Sequence, residues 1–266
     1  MKISVFYDHI IEASEKTGKS LDEILSEVSK AGIEAVEINS TYLNEHRDTL
    51  DLLRKHDLKV SCIYEFYKMD THYEPIKAYR HVKMAKSAGA GFILIVPGFF
   101  KEETDEFCKV YDDCDKTLKF LSENKKAKRM ARSVKRLTKS AAKNGIQAVI
   151  EDFDDVNSPI SCVNGMKWLL SEAKDLRVAF DTGNFIIHGE DIFKAFDTFK
   201  DSIVHVHCKD RSTEPVAVGD GSIPIAEIVK KLKESGYNGY LAIEHFGVLN
   251  QEEAMLKSAA FLNSVM

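Results

Sequence analysis

Residues 177–210 read RVAFDTGNFIIHGEDIFKAFDTFKDSIVHVHCKD. A short apolar run closes on Asp181, a longer segment follows, and a second short run at 202–208 carries His207 near its end. The same alternation extends in both directions. Apolar, β-branched runs stand at 2–6, 33–38, 58–64, 91–96, 146–151, 177–181, 202–208 and 240–244, with segments of helical period between them. Strands that alternate with helices pair in parallel through crossover connections. Eight such units in 266 residues match the roughly 250 residues of a closed (β/α)8 barrel, and no glycine-rich nucleotide fingerprint favours an open doubly wound sheet instead.

Local punctuation agrees with this reading. Ser20 and Glu23 form a capping box at the start of the stripe Leu21, Ile24, Leu25 and Val28. Pro224 opens a second stripe, Ile225, Ile228, Val229 and Leu232, which Gly236 stops. Ala31-Gly32, Ala88-Gly89, Asn144-Gly145 and Ser235-Gly236 each end a helix just before a strand. Roughly 50 residues separate the fourth and fifth strands, too many for one helix, and two helices are predicted there, near 104–122 and 125–143. No linker of Pro, Gly or Ser interrupts the chain. The expected architecture is a single (β/α)8 TIM barrel over residues 1–266, with an extended helical segment between strands 4 and 5.

Composition narrows the classes of function. Hydrophobic residues at 44% and charged residues at 30% describe a soluble globular chain, and no apolar run approaches the ~18 residues of a membrane span. Five cysteines without a C-x-x-C pair read as reduced thiols. The N-terminus enters a strand at once and lacks a leader's apolar region, so a cytoplasmic location is expected. A net charge of −5 gives no general attraction to nucleic acid. The seven basic residues within Lys125 to Arg136 are read as a solvated helix face.

In such barrels the reacting groups come from the C-terminal ends of the strands. The last four strands end Ile150-Glu151, Phe180-Asp181, Val206-His207 and Ile243-Glu244. Because side chains alternate along a strand, Glu151 shares a face with Val149, Asp181 with Ala179, His207 with His205 and Glu244 with Ala242. The opposite face, Ile150, Phe180, Val206 and Ile243, suits packing against helices. That phase points three carboxylates and an imidazole at one place inside the barrel. Like charges so close would raise one another's pKa unless a cation compensates them. One divalent metal ion is expected, with Mn2+ or Mg2+ favoured by the oxygen-rich set and Co2+ or Zn2+ able to occupy it.

The segments Val149-Ile150-Glu151-Asp152, Phe180-Asp181-Thr182-Gly183-Asn184, Val206-His207-Cys208-Lys209-Asp210, Val218-Gly219-Asp220-Gly221 and Ala242-Ile243-Glu244-His245-Phe246 together resemble the xylose-isomerase-like barrel family, in its branch of sugar and sugar-phosphate isomerases and epimerases. The resemblance spans the whole chain. It implies that Glu151, Asp181, His207 and Glu244 bind one metal and that Glu151 and Glu244 also act as acid and base. It further implies proton transfer through a metal-bound cis-enediolate of a small sugar or sugar phosphate, and a homodimer or homotetramer. Two glutamates on opposite sides of the enediolate plane would epimerise; one carrying a proton between adjacent carbons would isomerise. Some ketose epimerases of the family carry a histidine where this chain has Asn184, and a glutamate where it has Asn157. Asn184 is therefore expected to hydrogen-bond substrate without titrating.

Other residues receive weaker roles. Lys209 is placed against substrate and Arg211 on the surface. His205, deeper along the strand than His207, is read as supporting it. His245 points away from the cavity. His9, Glu37 and Glu65, near the ends of strands one, two and three, are candidates to line the sugar pocket but are read first as structural or solvent-facing, and Gly219 and Gly221 as a plain turn. Thr17-Gly18-Lys19-Ser20 imitates the end of a P-loop, but Ala13 replaces its first glycine and Ser20 is used as a cap. The rival functions are a dehydratase of a keto-polyol such as an inosose, reached from the same enediolate, and a DNA-repair endonuclease of the same superfamily. The endonuclease needs further histidines at strand ends that Tyr64-Glu65 and Pro97-Gly98 do not supply.

Overall fold

A computed structural model describes all 266 residues. Eight strands close into a parallel barrel: β1 (Lys2–Phe6), β2 (Ala35–Asn39), β3 (Lys59–Phe66), β4 (Phe92–Val96), β5 (Gln147–Ile150), β6 (Arg177–Asp181), β7 (Ile203–Cys208) and β8 (Tyr240–Ile243). Each pairs with its neighbours in sequence, and β8 pairs with β1. All eight predicted strands are present. Their ends differ by up to two residues, so that Glu151 and Glu244 sit one residue beyond β5 and β8. A ribbon of two residues on each side, Asp210–Arg211 with Pro215–Val216, follows β7.

The predicted helix at 104–122 is corrected: it is broken into Thr104–Cys108 and Cys114–Glu123. The Asp113 carboxylate accepts from the Lys116 amide at 3.1 Å and starts a new helix there. The helix Lys125–Lys143 forms as expected, with the Asn124 side chain accepting from the amides of Lys126 and Ala127. The capping box at Ser20 and Glu23 is also present.

The alternation along the strands builds two apolar layers. Ile150, Phe180, Val206 and Ile243 face outward into the large core under the helices. A smaller cluster fills the barrel: Phe6, Cys62, Tyr64, Leu94, Val149, Ala179 and Ala242. Its large members come from β1, β3 and β4 and its smallest from β6 and β8. The barrel is thus filled by large residues on one side meeting small ones on the other.

Two register shifts aim the polar side chains. Between β6 and β7, Val178 pairs with Ile203 but Ala179 pairs with His205, so one residue of β7 is skipped and Asp181 lies beside His207. Between β2 and β3, Val36 pairs with Val60 but Glu37 pairs with Cys62. Each shift moves one strand by a single residue, which decides which face its side chains take. Both serve one buried chain of contacts, Glu37 to His205 and His207.

Candidate metal centre

Glu151, Asp181, His207 and Glu244 converge where the sequence placed them. One ligand atom from each lies within 4.8 Å of all the others. His207 Nδ1 is 2.6 Å from Glu151 Oε2 and 3.1 Å from Glu244 Oε2. Asp181 is anchored through Oδ1, which accepts from the amides of Gly183 at 2.6 Å and Asn184 at 2.8 Å. That leaves Asp181 Oδ2 buried without a hydrogen bond, its nearest cation Lys209 Nζ at 3.5 Å, and Glu244 Oε2 with no neighbour but the His207 nitrogen. Buried polar atoms are rarely left so. Orphaned carboxylate oxygens beside an imidazole nitrogen are the donor set a divalent cation takes, and these residues fit one.

Beneath this cluster His205 takes the supporting place the sequence reading gave it, through Glu37, whose part in the site that reading did not find. Glu37 Oε2 accepts from His205 Nε2 at 2.7 Å and from His207 Nε2 at 3.2 Å, with all three side chains fully buried. Burial would raise the Glu37 carboxyl, but the two imidazoles prevail and hold it at about 2. An ionised Glu37 can only accept, so Nε2 of His207 carries a proton and Nδ1 faces the carboxylates. In this way Glu37 selects the ring atom presented to a metal. The signal available in sequence was the pair His205 and His207, two inward imidazoles that need a buried acceptor.

Lys209 crosses the top of the cluster. Its Nζ is 2.8 Å from Glu244 Oε1, 2.8 Å from Asn184 Oδ1 and 3.5 Å from Asp181 Oδ2. Asn184 is buried, and its Nδ2 donates to the Asp152 carbonyl at 2.7 Å. Gly183 leaves room for this crossing: a Cβ there would stand 2.9 Å from Lys209 Cγ. Burial raises Glu151 to about 7 despite His207. Burial also pushes Glu244 up, but Lys209 and His207 outweigh it and hold that carboxyl below its usual range. Burial raises Asp181 even with Lys209 nearby. Burial, with Asp181 and Glu151 beside it, also holds Asp152 well above the usual carboxylate range, and both its oxygens lack a hydrogen bond.

A cavity of about 290 Å3 opens above the cluster. Glu151, Asp154, Asn184, Lys209 and Glu244 line one side, while Phe6, Tyr64, Phe66, Leu94 and Val96 line the other, with Phe153 and Phe246 completing the wall. Asp181 and His207 do not line it; they lie below the two glutamates. Of the remaining predictions, His9 stacks on His245 at 4.4 Å, both buried away from the cavity. Glu65 pairs with Ser40 and Lys77 in a separate groove. Arg211 reaches the Thr213 carbonyl. Amides of Gly219 and Gly221 donate to Asp210 Oδ2, as a turn requires. Lys19 pairs with Glu27 and Glu252. Asn157 accepts from Thr104 through Oδ1 and organises its loop.

A family model described as "Xylose isomerase-like TIM barrel" matches residues 25–265. An inosose dehydratase of Lacticaseibacillus casei is 22% identical over 273 residues, covering 93% of this chain and 90% of that protein. The crystal structure of the IolI protein with a zinc atom superposes with a TM-score of 0.75 at 16% identity, over 100% of this chain and 98% of that one. D-Psicose 3-epimerase of Clostridium cellulolyticum H10, solved with D-tagatose, gives a TM-score of 0.72 at 16% identity over the same shares.

Proposed function

The chain belongs to the xylose isomerase-like TIM-barrel family, and from that premise we propose that it is a divalent-metal-dependent isomerase or epimerase of a small keto-polyol, acting by proton transfer at the carbon beside the carbonyl. One observation carries the reading. Of the four converging side chains, only Glu151 and Glu244 both join the ligand set and line the cavity. Asp181 and His207 are ligands alone; the two glutamates can also reach a substrate carbon. They directly follow β5 and β8, so a ring or chain lying between them meets a carboxylate from each side. One takes the proton and the other returns it.

Glu151, Asp181, His207 and Glu244 would hold the ion. When bound, it supplies positive charge to a carbonyl and its neighbouring hydroxyl, which makes the adjacent C–H acidic. Three carboxylates favour Mn2+ or Mg2+, and the zinc of the IolI neighbour keeps Zn2+ in the set. Lys209, with its ammonium on Glu244, holds that carboxylate ionised and in place. Asn184 fixes Lys209 through Oδ1.

The curated relatives favour a second reading, since that of Lacticaseibacillus casei is named an inosose dehydratase. Here the same proton removal would be followed by loss of a neighbouring hydroxyl, with the second glutamate protonating it. NMR in deuterated water separates the outcomes: isomerisation or epimerisation gives exchange with the hydroxyl count kept, dehydration gives a product with a new C=C bond. In either case Glu151→Gln and Glu244→Gln should each lower C–H exchange by ~10²–10⁴-fold. Full exchange in both variants would remove the mechanism.

A further inference from the structure

We infer that His9, in the first turn of the helix that follows β1, is a positioning residue for Glu244: its ring stands in for a missing strand and fixes the peptide that follows this glutamate. The role rests on the reading of Glu244 as metal ligand and acid/base, and it adds to that site a residue outside the four that converge.

Amides along a strand point alternately to its two neighbours. That of Glu244 points toward β7 and donates to the Cys208 carbonyl at 3.1 Å. The next, that of His245, therefore points the other way, toward β1. There the ladder has ended. Val5 pairs with Ile243, and directly after Phe6 the chain leaves the sheet for the helix Tyr7–Thr17. His245 is fully buried, and a buried N–H without an acceptor is costly. His9 supplies the acceptor: its Nε2 takes the His245 amide at 3.0 Å. Glu244 is thus held from both sides, by Cys208 through its own amide and by His9 through the next.

The ring that does this is itself held. His9 is fully buried, stacks on the His245 ring at 4.4 Å and meets Phe246 edge-on at 4.6 Å. Because Nε2 accepts, the imidazole is neutral, with its proton on Nδ1. A neutral imidazole joins an acceptor to flat faces that pack against rings.

Backbone placement matters more for Glu244 than for the ligands below it. Asp181 is gripped through its own carboxylate by the amides of Gly183 and Asn184, and His207 through its ring by Glu37. The Glu244 carboxylate touches only the His207 nitrogen and the flexible Lys209 side chain. It is aimed by the peptide that carries it. An error of ~1 Å in such a group costs on the order of 10²-fold in rate.

The test compares His9→Leu, which fills the space without an acceptor, with His9→Gln, whose Oε1 accepts from the same amide; His9→Phe replaces the first variant should it not fold. Competition with a chelator measures affinity for Zn2+, and visible absorption of the Co2+-loaded protein reports the geometry of the ligands. Expected for His9→Leu are an affinity ~10-fold below the parent and a changed Co2+ spectrum, both returning toward the parent in His9→Gln. Where C–H exchange is followed, His9→Leu should lower kcat and leave KM as it is. Parental affinity and spectrum in His9→Leu, or equal losses in His9→Gln, overturn the role and make His9 a packing residue. The proton-transfer reading would survive that, since it depends on exchange in the Glu151→Gln and Glu244→Gln variants. A parent that takes up neither ion overturns both.

Discussion

Strands β5–β8 and strands β1–β4 face each other across one cavity and bring opposite chemistry to it. The first half ends in Glu151, Asp181, His207 and Glu244; the second contributes Phe6, Tyr64, Phe66, Leu94 and Val96. The two share the same strand geometry and the same rule of alternation, so the difference lies wholly in which residues take the inward positions. It separates two tasks. In the proposed mechanism the polar half holds the ion and moves protons, while the aromatic half shapes the cavity. Glu37 is the exception: a carboxylate on β2 reaches under the barrel axis to His205 and His207 of β7.

If the halves divide their work in this way, emptying the polar half should have the largest effect. An Asp181→Ala/His207→Ala double variant should lose its divalent ion by elemental analysis and all C–H exchange, while circular dichroism still reports a folded barrel. Retention of the ion would show that the four converging side chains are not its ligands.

Acid should act next, and on the other half. His81, on the helix Pro75–Ala88 behind β3, sits between the Tyr67 hydroxyl at 2.9 Å and the Ile63 carbonyl at 2.9 Å. Nε2 donates to that carbonyl and Nδ1 accepts from the hydroxyl, an arrangement for a neutral ring, and burial lowers its pKa to about 4. The unfolded chain takes up this proton near pH ~6.5, so between there and about 4 the unfolded state binds more protons. Stability from this group is complete above that window and falls as pH drops through it, by ~2 kcal/mol at pH ~5. A His81→Gln variant should show a shallower pH dependence of urea unfolding than the parent. Equal slopes would show that His81 titrates alike in both states.

The bridge between the halves should come third. In Glu37→Gln an amide replaces an acceptor shared by two imidazoles, His207 loses its fixed tautomer, and metal affinity should fall ~10–100-fold. Competition with a chelator measures it, and an unchanged affinity would make Glu37 purely structural.

The eight strands and the four-residue cluster were legible because alternation and strand ends are local properties. Val149 before Glu151, and Ala179 before Asp181, set the phase without any knowledge of neighbours. Glu37 was not legible in the same way. Its position against Cys62 depends on a residue skipped in β3, and that of His205 against Ala179 on one skipped in β7; register belongs to pairs of strands. The break in the helix predicted at 104–122 turned on Asp113 acting as a cap, a choice between two local options that the apolar stripe did not decide. The aromatic wall was hidden for a third reason. Phe6, Tyr64, Phe66, Phe153 and Phe246 come from four parts of the chain, and each alone reads as an ordinary apolar residue.

The smallest effect tests whether the halves are independent where they touch. Phe6 closes β1 and sets its ring edge-on to His207, with centroids 5.1 Å apart, while also meeting Phe246 and Tyr64. Phe6→Leu keeps most of the volume and forfeits the aromatic pairings, so thermal or urea unfolding should show a loss of ~1 kcal/mol. Metal content should stay as in the parent, because Asp181 is held by the amides of Gly183 and Asn184 and His207 by Glu37, none of which Phe6 contributes. Loss of the ion in Phe6→Leu would mean that the aromatic wall positions the His207 ring, and the division of labour between the two halves would have to give way to a single interlocked site.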